Sequence, residues 1–398
     1  MILINRIKGQ GIWNRLTLLF LTIALLFSFI SISLVQGFLT LSLISGIITL
    51  IRKERKLSFP SYFLPLLAYA LLSLISSAFS VNPEMSFKDS KELLLILIVP
   101  LVYTGLSKKE DFSLTNFALL ASASASILYS FFDFFFMADP GERIKGFMGH
   151  YMTQAGLLIL FGALALSLTL FSRNKWKYLW GIGFVFGSLA LALTLTRSAW
   201  IGLGAALFVI GLLWKPKSLI LVPILAGLVF LVSPQTIKQR VRSIFSLTGY
   251  SNQERIEYLK AGIGIIKDFP LFGTGPDTVD MVFQNPKYGL SESAKRNVHL
   301  HNNFIQIAAE RGLPTFFVWA AFLIWLGIRL LRILKNKDPV LYSLTAGALA
   351  GLAALVTAGF FEYNFGDSEI TTLFLYLTAL PFALHSIQER SSGPGQQK

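Results

Sequence analysis

A polytopic α-helical membrane protein is the fold class this chain predicts, on three observations. Hydrophobic residues make up 54% of its 398 positions and charged residues only 14%, well below the roughly 25% charge of soluble domains. The mean hydropathy is +0.63. Apolar runs of about 20 residues, the length that crosses a hydrocarbon core of about 30 Å, recur from one end of the sequence to the other. Nothing in the chain reads as a separate soluble domain, so residues 1–398 are taken as a single integral membrane domain.

The first apolar run opens near Leu16, behind the basic residues Arg6, Lys8 and Arg15. It is longer than the apolar core of a signal peptide and lacks a cleavage site, so it reads as a retained first helix. About twelve spans are expected by this criterion. They lie near residues 16–34, 36–51, 61–79, 92–106, 113–136, 153–172, 176–196, 198–214, 217–233, 312–334, 339–361 and 369–387. An even number puts both termini on one side, and the distribution of lysine and arginine decides which. The termini and the connections on their side hold 20 basic and five acidic residues; the opposite side holds 15 basic and 16 acidic. The positive-inside rule then makes both termini cytoplasmic and the polar segment 234–311, between the ninth and tenth spans, extracytoplasmic. The net charge of +14 is thus topological and calls for no nucleic acid, because the basic residues are spread over short loops without interleaved stacking aromatics. The absence of cysteine removes disulfides, thiolate nucleophiles and thiolate metal sites.

The long loop carries helical periodicity. Ile237, Val241, Ile244 and Phe245 share one helical face, and Ile256, Leu259, Ile263 and Ile266 another, which predicts two amphipathic helices on the membrane surface or against the bundle. A third helix is expected from Asn302 or Asn303, good N-caps, to Gly312, with Pro314 opening the next span. The tail 391–398 reads as disordered.

The residues able to carry chemistry are charges at the outer edge without local partners. Arg197, in Thr196-Arg197-Ser198-Ala199-Trp200, has Leu193, Thr194, Trp200 and Ile201 at helical spacing, none acidic. It reads either as an arginine snorkelling to lipid headgroups or as an anion ligand facing a cavity. Arg255 repeats the pattern, with Ser251, Asn252, Tyr258 and Leu259 around it. Arg143 precedes His150 and is an additional candidate, while Lys88 reads as a solvated charge beside Glu84 and Glu92 or as a further ligand. Arginines converging from separate loops suit a diphosphate, whose oxygens the guanidinium fork binds bidentately. His301, at a helix start, is a candidate general base; it reads otherwise as a hydrogen-bonded bystander, which is the reading for His299. Their spacing of two matches no helical metal pair, and no HExxH, P-loop, GxSxG or Asp-x-Asp element occurs, so no metal is expected. Gly273-Thr274-Gly275-Pro276 lacks the third glycine of a dinucleotide fingerprint and reads as a turn. Glu362, Asp367 and Glu369 cluster in one outer loop, where they orient the basic site or stay solvated.

The segment His299-Leu300-His301-Asn302-Asn303-Phe304-Ile305-Gln306, continued by Ala309-Glu310-Arg311-Gly312-Leu313, resembles the signature of the O-antigen ligase and polymerase family. Thr196-Arg197-Ser198-Ala199-Trp200, and Arg255 ahead of Pro270-Leu271-Phe272-Gly273-Thr274-Gly275-Pro276, fit the family's order and spacing. Arg143 to Gly156, with His150 and Gln154, is similar to the family segment before the sixth span. The resemblance covers about residues 140–320 by motif; the first 130 residues match only in character. It implies a GT-C-like glycosyltransferase that moves a glycan from undecaprenyl diphosphate to an acceptor at the periplasmic face of the bacterial inner membrane, without cofactor or metal. Arg197, Arg255 and, less directly, Arg143 would bind the diphosphate, and His301 would deprotonate or orient the acceptor hydroxyl; Lys88, His150, Gln154 and Asn302 are additional candidates. Within the family, the expected reaction joins O-antigen to lipid A core, since the chain lacks the long C-terminal extension of protein-directed oligosaccharyltransferases. The O-antigen polymerase, with a second polyprenyl-linked repeat as acceptor, is the alternative. A transporter of an anionic glycolipid is the rival from another class; its ionisable residues should sit near mid-bilayer, where Asp133 is the main acidic candidate.

Overall fold

The computed structural model describes residues 11–139, 141–232, 235–244 and 250–392. Arg6, Lys8, Pro234, Phe245 and tail residues 393–398 lie outside them; of the tail 391–398 expected to be disordered, Ser391 and Ser392 are helical, and the rest falls outside the described residues. The described residues form sixteen α-helices: α1 Ile12–Leu26, α2 Ile32–Ile51, α3 Phe63–Ala78, α4 Pro83–Asp89, α5 Ile98–Gly105, α6 Lys109–Phe132, α7 Tyr151–Phe171, α8 Lys177–Leu193, α9 Arg197–Trp214, α10 Leu221–Val232, α11 Gln235–Arg242, α12 Tyr250–Asp268, α13 Val279–Phe283, α14 Asn303–Ile333, α15 Pro339–Ala358 and α16 Ser368–Ser392. The protein is a multi-pass helical membrane protein. By length and apolarity, seven of these segments are able to cross a membrane: α2, α6 with its π-helical extension to Met137, α7, α9, α14, α15 and α16. Three shorter apolar helices, α1, α3 and α8, accompany them.

The expected first span, 16–34, is broken. Helix α1 stops at Leu26 because the Ser28 hydroxyl takes the Leu25 carbonyl at 2.7 Å and the Phe29 amide turns aside to the Ser122 hydroxyl at 2.9 Å. At about 1.5 Å per residue its length is roughly 22 Å. The expected span 92–106 is likewise composite: a 3₁₀ segment, Ser90–Leu97, precedes the two turns of α5.

Helices α7, α15 and α16 form the inner layer. Helix α15 buries Ser343, Ala346, Gly347, Ala348, Ala350, Gly351 and Ala354; such small side chains let helix backbones approach closely where lipid supplies no hydrophobic drive between helices.

The long outer segment has a core of its own. Tyr258, Ala261 and Ile265 of α12 are buried with Val279, Phe283, Leu290, Leu300 and Ala309. The face expected from periodicity is a second one: Ile256, Leu259 and Ile263 are 42–44% exposed, so α12 carries an apolar stripe on its outer side besides the buried one. Helix α14 behaves as expected at both marks. The Asn302 side chain accepts from the Phe304 and Ile305 amides, and Gly312 leaves helical geometry at φ 78°, ψ 164°. The Pro270–Pro276 turn fills that break. The Leu313 amide donates to the Pro270 carbonyl (2.8 Å), the Thr274 amide to the Ala309 carbonyl (2.9 Å) and the Gly275 amide to the Glu310 carbonyl (2.8 Å). A Cβ on Gly312 would stand 2.1 Å from the Leu271 carbonyl oxygen, so position and φ both require glycine there.

Candidate active site

Helix α9 begins at Arg197, after Leu195 at positive φ (52°) and the N-cap residue Thr196, and this tight turn gathers the cationic group. Arg143 reaches in from the loop before α7, donating from Nε to the Thr194 carbonyl (2.9 Å) and from Nη2 to the Leu195 carbonyl (3.3 Å) and the Thr196 hydroxyl (3.0 Å). Its guanidinium lies over the Tyr151 ring, 3.3 Å from the centroid. From α11, Arg240 donates from Nε to the same Leu195 carbonyl at 3.0 Å. Arg197 itself is only 7% exposed and is held from the opposite side by the Ser243 carbonyl (2.7 Å), the Ser251 hydroxyl (3.1 Å) and the Asn252 side-chain oxygen (2.9 Å). Its charge is therefore turned into the protein, not snorkelled to lipid.

One face of α12 runs across the group, as spacings of three and four demand. Ser251 and Asn252 hold Arg197, Arg255 follows one turn on, and the Tyr258 ring stands 5.5 Å from that of His301. Among the described residues, none of Arg143, Arg197, Arg240 and Arg255 has a carboxylate within ion-pair distance. Burial pushes Arg143 down to about 10, with Tyr151 opposing and the charges of Arg240 and Arg197 adding to the fall. Burial also lowers Arg255, against the pull of Glu362. Arg143 and Arg255 remain cations at neutral pH although desolvated, and an anion bound among the arginines relieves both that cost and their mutual repulsion.

Beside the arginines stands the histidine motif, and its neighbours explain its shape. His301 adopts a positive φ of 49°, a conformation unfavourable by about 1–2 kcal/mol for a residue with a Cβ. Contacts on every side impose it. Asn302 caps α14 and donates to the Phe360 carbonyl (2.9 Å); the Asn303 amide donates to the Gly359 carbonyl (2.7 Å); the Asn303 side chain donates to that of Asn364 (2.6 Å). The Gln306 side-chain oxygen accepts from the Leu300 amide (2.7 Å). The asparagines and glutamine of the motif thus clamp 299–303 against the α15–α16 connection. Within this clamp His301 Nδ1 lies 3.1 Å from each Glu362 carboxylate oxygen. Glu362 is 8% exposed. Burial alone would raise its carboxyl, but the His301 hydrogen bond and the charges of His301, His299 and Arg255 bring it down to about 2. An ionised carboxylate accepts only, so Nδ1 is the donor, and in the neutral imidazole the lone pair is then on Nε2.

His299 accepts the His301 backbone amide on its Nδ1 (3.3 Å), and its ring packs 4.2 Å from that of His301. Burial lowers it to about 4. The ligand atoms of His299, His301 and Glu362 lie within 4.8 Å of one another, a grouping of a size to hold one cation that spacing in sequence did not foreshadow.

The other candidates separate. His150 is exposed, caps α7 and stacks on Tyr151 at 4.9 Å. Gln154 is fully buried, bonded to Ser126 (3.0 Å) and Ser130 (3.4 Å), where it fastens α7 to α6 and presents nothing to a ligand. Asn302 is committed to capping. Lys88 is exposed on α4 and lines an acidic groove instead of joining the arginines. One residue escaped sequence reasoning: Arg240, flanked by Lys238 and Arg242 on a short polar helix, carries no signal that separates it from a solvated face. Of the two readings open for Glu362, the structure places it against His301, where the clamp of the asparagines brings it.

Fold and site together define a membrane-embedded helical protein with a desolvated tetra-arginine group next to a carboxylate-oriented histidine. Residues 182–320 match the profile of the O-antigen ligase family, which bears out over that segment the resemblance read from the motifs. No curated protein matches the chain.

Proposed function

We propose that the protein is an inverting, metal-independent glycosyltransferase that moves O-antigen from undecaprenyl diphosphate to a hydroxyl of lipid A core. The observation that carries this reading is the convergence of Arg143, Arg197, Arg240 and Arg255, none ion-paired to a carboxylate among the described residues, beside the His301–Glu362 pair. Arg197 and Arg255 hold the diphosphate, with Arg143 and Arg240 completing the cradle. His301 Nε2 accepts the proton of the acceptor hydroxyl while its oxygen forms the new bond to the anomeric carbon. The bond from that carbon to the phosphate oxygen breaks, and the arginines stabilise the charge that develops on the leaving diphosphate. Glu362 fixes the tautomer and supports the imidazolium as it forms. A single displacement inverts the anomeric configuration.

In this reading the chain makes twelve passes of the bacterial inner membrane, with both termini cytoplasmic and the site periplasmic, shorter and broken segments completing passes beyond the seven full-length helices. The O-antigen polymerase reaction, with a second polyprenyl-linked repeat as acceptor, uses the same donor cradle. A transporter is disfavoured by the gathering of the arginines in one group at the loop side of the bundle.

The test is transfer by the purified protein in nanodiscs from a polyprenyl-diphosphate glycan to lipid A core or to a polyprenyl-linked repeat. Extension of lipid A core supports the ligase, and extension of the repeat alone supports the polymerase. Activity is expected to survive EDTA; loss restored by a divalent ion would assign the His299–His301–Glu362 group to a metal.

A further inference from the structure

Against His299 lies a cavity of about 220 Å³, lined also by Tyr69, Asp89, Glu92, Asp277 and Tyr363, with Glu310 and Arg311 in its wall. Its charge is opposite to that of the arginine group: four carboxylates face one guanidinium. We propose that this cavity is the acceptor subsite, built to take a glycosyl unit that is neutral or amine-bearing and to refuse one that is phosphorylated or carboxylated. The inference rests on the glycosyl-transfer reading above and names the chemistry of the second substrate of the same site.

Three observations carry it. The first is position. His299 lines the cavity, its ring lies 4.2 Å from that of His301, and Tyr363 in the cavity wall directly follows Glu362. A hydroxyl held at His299 is one histidine ring away from the proposed base. The second is an unsatisfied donor. Arg311 is 6% exposed; its Nη1 bonds Glu310 (2.9 Å) and the Tyr363 hydroxyl (3.1 Å), yet its Nε is buried without a hydrogen-bond partner. Such a group is costly to leave unpaired and is met by a polar ligand. The third is shape. The volume falls below the about 300–1,000 Å³ of sites that enclose a drug-sized ligand, which suits the end of a chain. The cavity shares Asp89, Glu92 and Asp277 with a second hollow of about 500 Å³ that continues past Asn82, Glu84 and Lys88, where the following units of the acceptor lie.

The carboxylates suit hydroxyls because an ionised carboxylate only accepts hydrogen bonds. Glu310 is already occupied by Gln306 (2.8 Å), Arg311 and the Asp277 amide (3.1 Å). Asp89 meets Arg311 only at 3.8 Å, which leaves it, with Asp277, to receive sugar hydroxyls. Burial and the neighbouring Asp89 both raise the Asp277 carboxyl, as a second anion brought into the cavity would raise it further. The two substrates are therefore sorted by charge, diphosphate to the arginines and sugar to the carboxylates.

The experiment is transfer kinetics with the full chain in nanodiscs, undecaprenyl-diphosphate glycan as donor and lipid A core and the polyprenyl-linked repeat as acceptors, for wild type and the separate Asp89→Asn and Asp277→Asn variants. The expected result is a rise in acceptor KM of about ten- to hundredfold, the loss of one hydrogen bond to a charged group, with donor KM within about twofold of wild type. Unchanged acceptor KM in both variants, or an equal rise in donor KM, overturns the subsite. Absence of transfer by wild type to either acceptor overturns the glycosyl-transfer reading itself and the subsite with it.

Discussion

The cationic group around the Thr194–Arg197 turn and the acidic cavity beneath Tyr363 flank the same pair of histidines, and they are built differently. The cations come from four elements and are held largely by backbone carbonyls and neutral side chains, with no carboxylate among the described residues within ion-pair distance of them. The cavity's one cation, Arg311, is bonded to Glu310 and faces Asp89, so its charge is spent within the protein. An arginine satisfied by carbonyls keeps its net charge for a ligand; one paired with carboxylates does not. That difference separates Arg197 from Arg311, both buried arginines, without reference to what either binds.

The comparison turns on His301 sitting between the two regions with its lone pair on Nε2. Glu362→Gln removes the charge that fixes this tautomer and should sharpen it most: kcat is expected to fall by about 10²–10⁴-fold, the range of general base catalysis, with both KM values near wild type. Steady-state transfer kinetics check this, and an effect confined to KM would make Glu362 a binding residue. Arg240→Ala tests whether the cationic region is a four-member group. It should raise donor KM or lower kcat by about tenfold and reduce inhibition by inorganic pyrophosphate in parallel, while leaving acceptor KM unchanged; an effect on acceptor KM alone would detach Arg240 from the donor side. The smallest effect concerns stability. His299 stays neutral in the folded protein down to about pH 4, whereas an unfolded histidine takes up its proton near 6.5. The unfolded chain therefore binds more protons between these values, and stability falls on acidification through that window. His299→Gln should flatten this part of the thermal-unfolding profile in detergent. A profile with the same slope in the variant would assign the acid sensitivity to other groups.

Much of the frame was legible in the sequence because membrane helices announce themselves by local composition. The segments with apolar runs are helical, Asn302 caps α14, and Gly312 ends its first part as the Gly-x-Pro pattern foretells. The break after Leu26 was not legible, because Ser28 within an apolar run gives no sign of whether its hydroxyl will cap a carbonyl or bond back into the helix. At the site, Arg197, Arg255 and His301 stood out for lacking local partners. What supports them did not, since Glu362 is 61 residues from His301 and the cavity is assembled from α3, α4, the 270–277 turn, α14 and the loop before α16. Periodicity showed only one of the two apolar faces of α12: its Tyr258–Ala261–Ile265 stripe and its Ile256–Leu259–Ile263 stripe are both apolar, and only the partner elements decide which is buried.

The central claim is that unpaired arginines and an oriented histidine act together on a lipid-linked diphosphate. It is tested most directly by glycan transfer from undecaprenyl diphosphate with purified wild type and the Arg197→Ala, Arg255→Ala and His301→Ala variants, each shown by size exclusion and circular dichroism to be folded. Losses of about 10²-fold or more in all three are predicted, and turnover at the wild-type rate by all three would contradict the account.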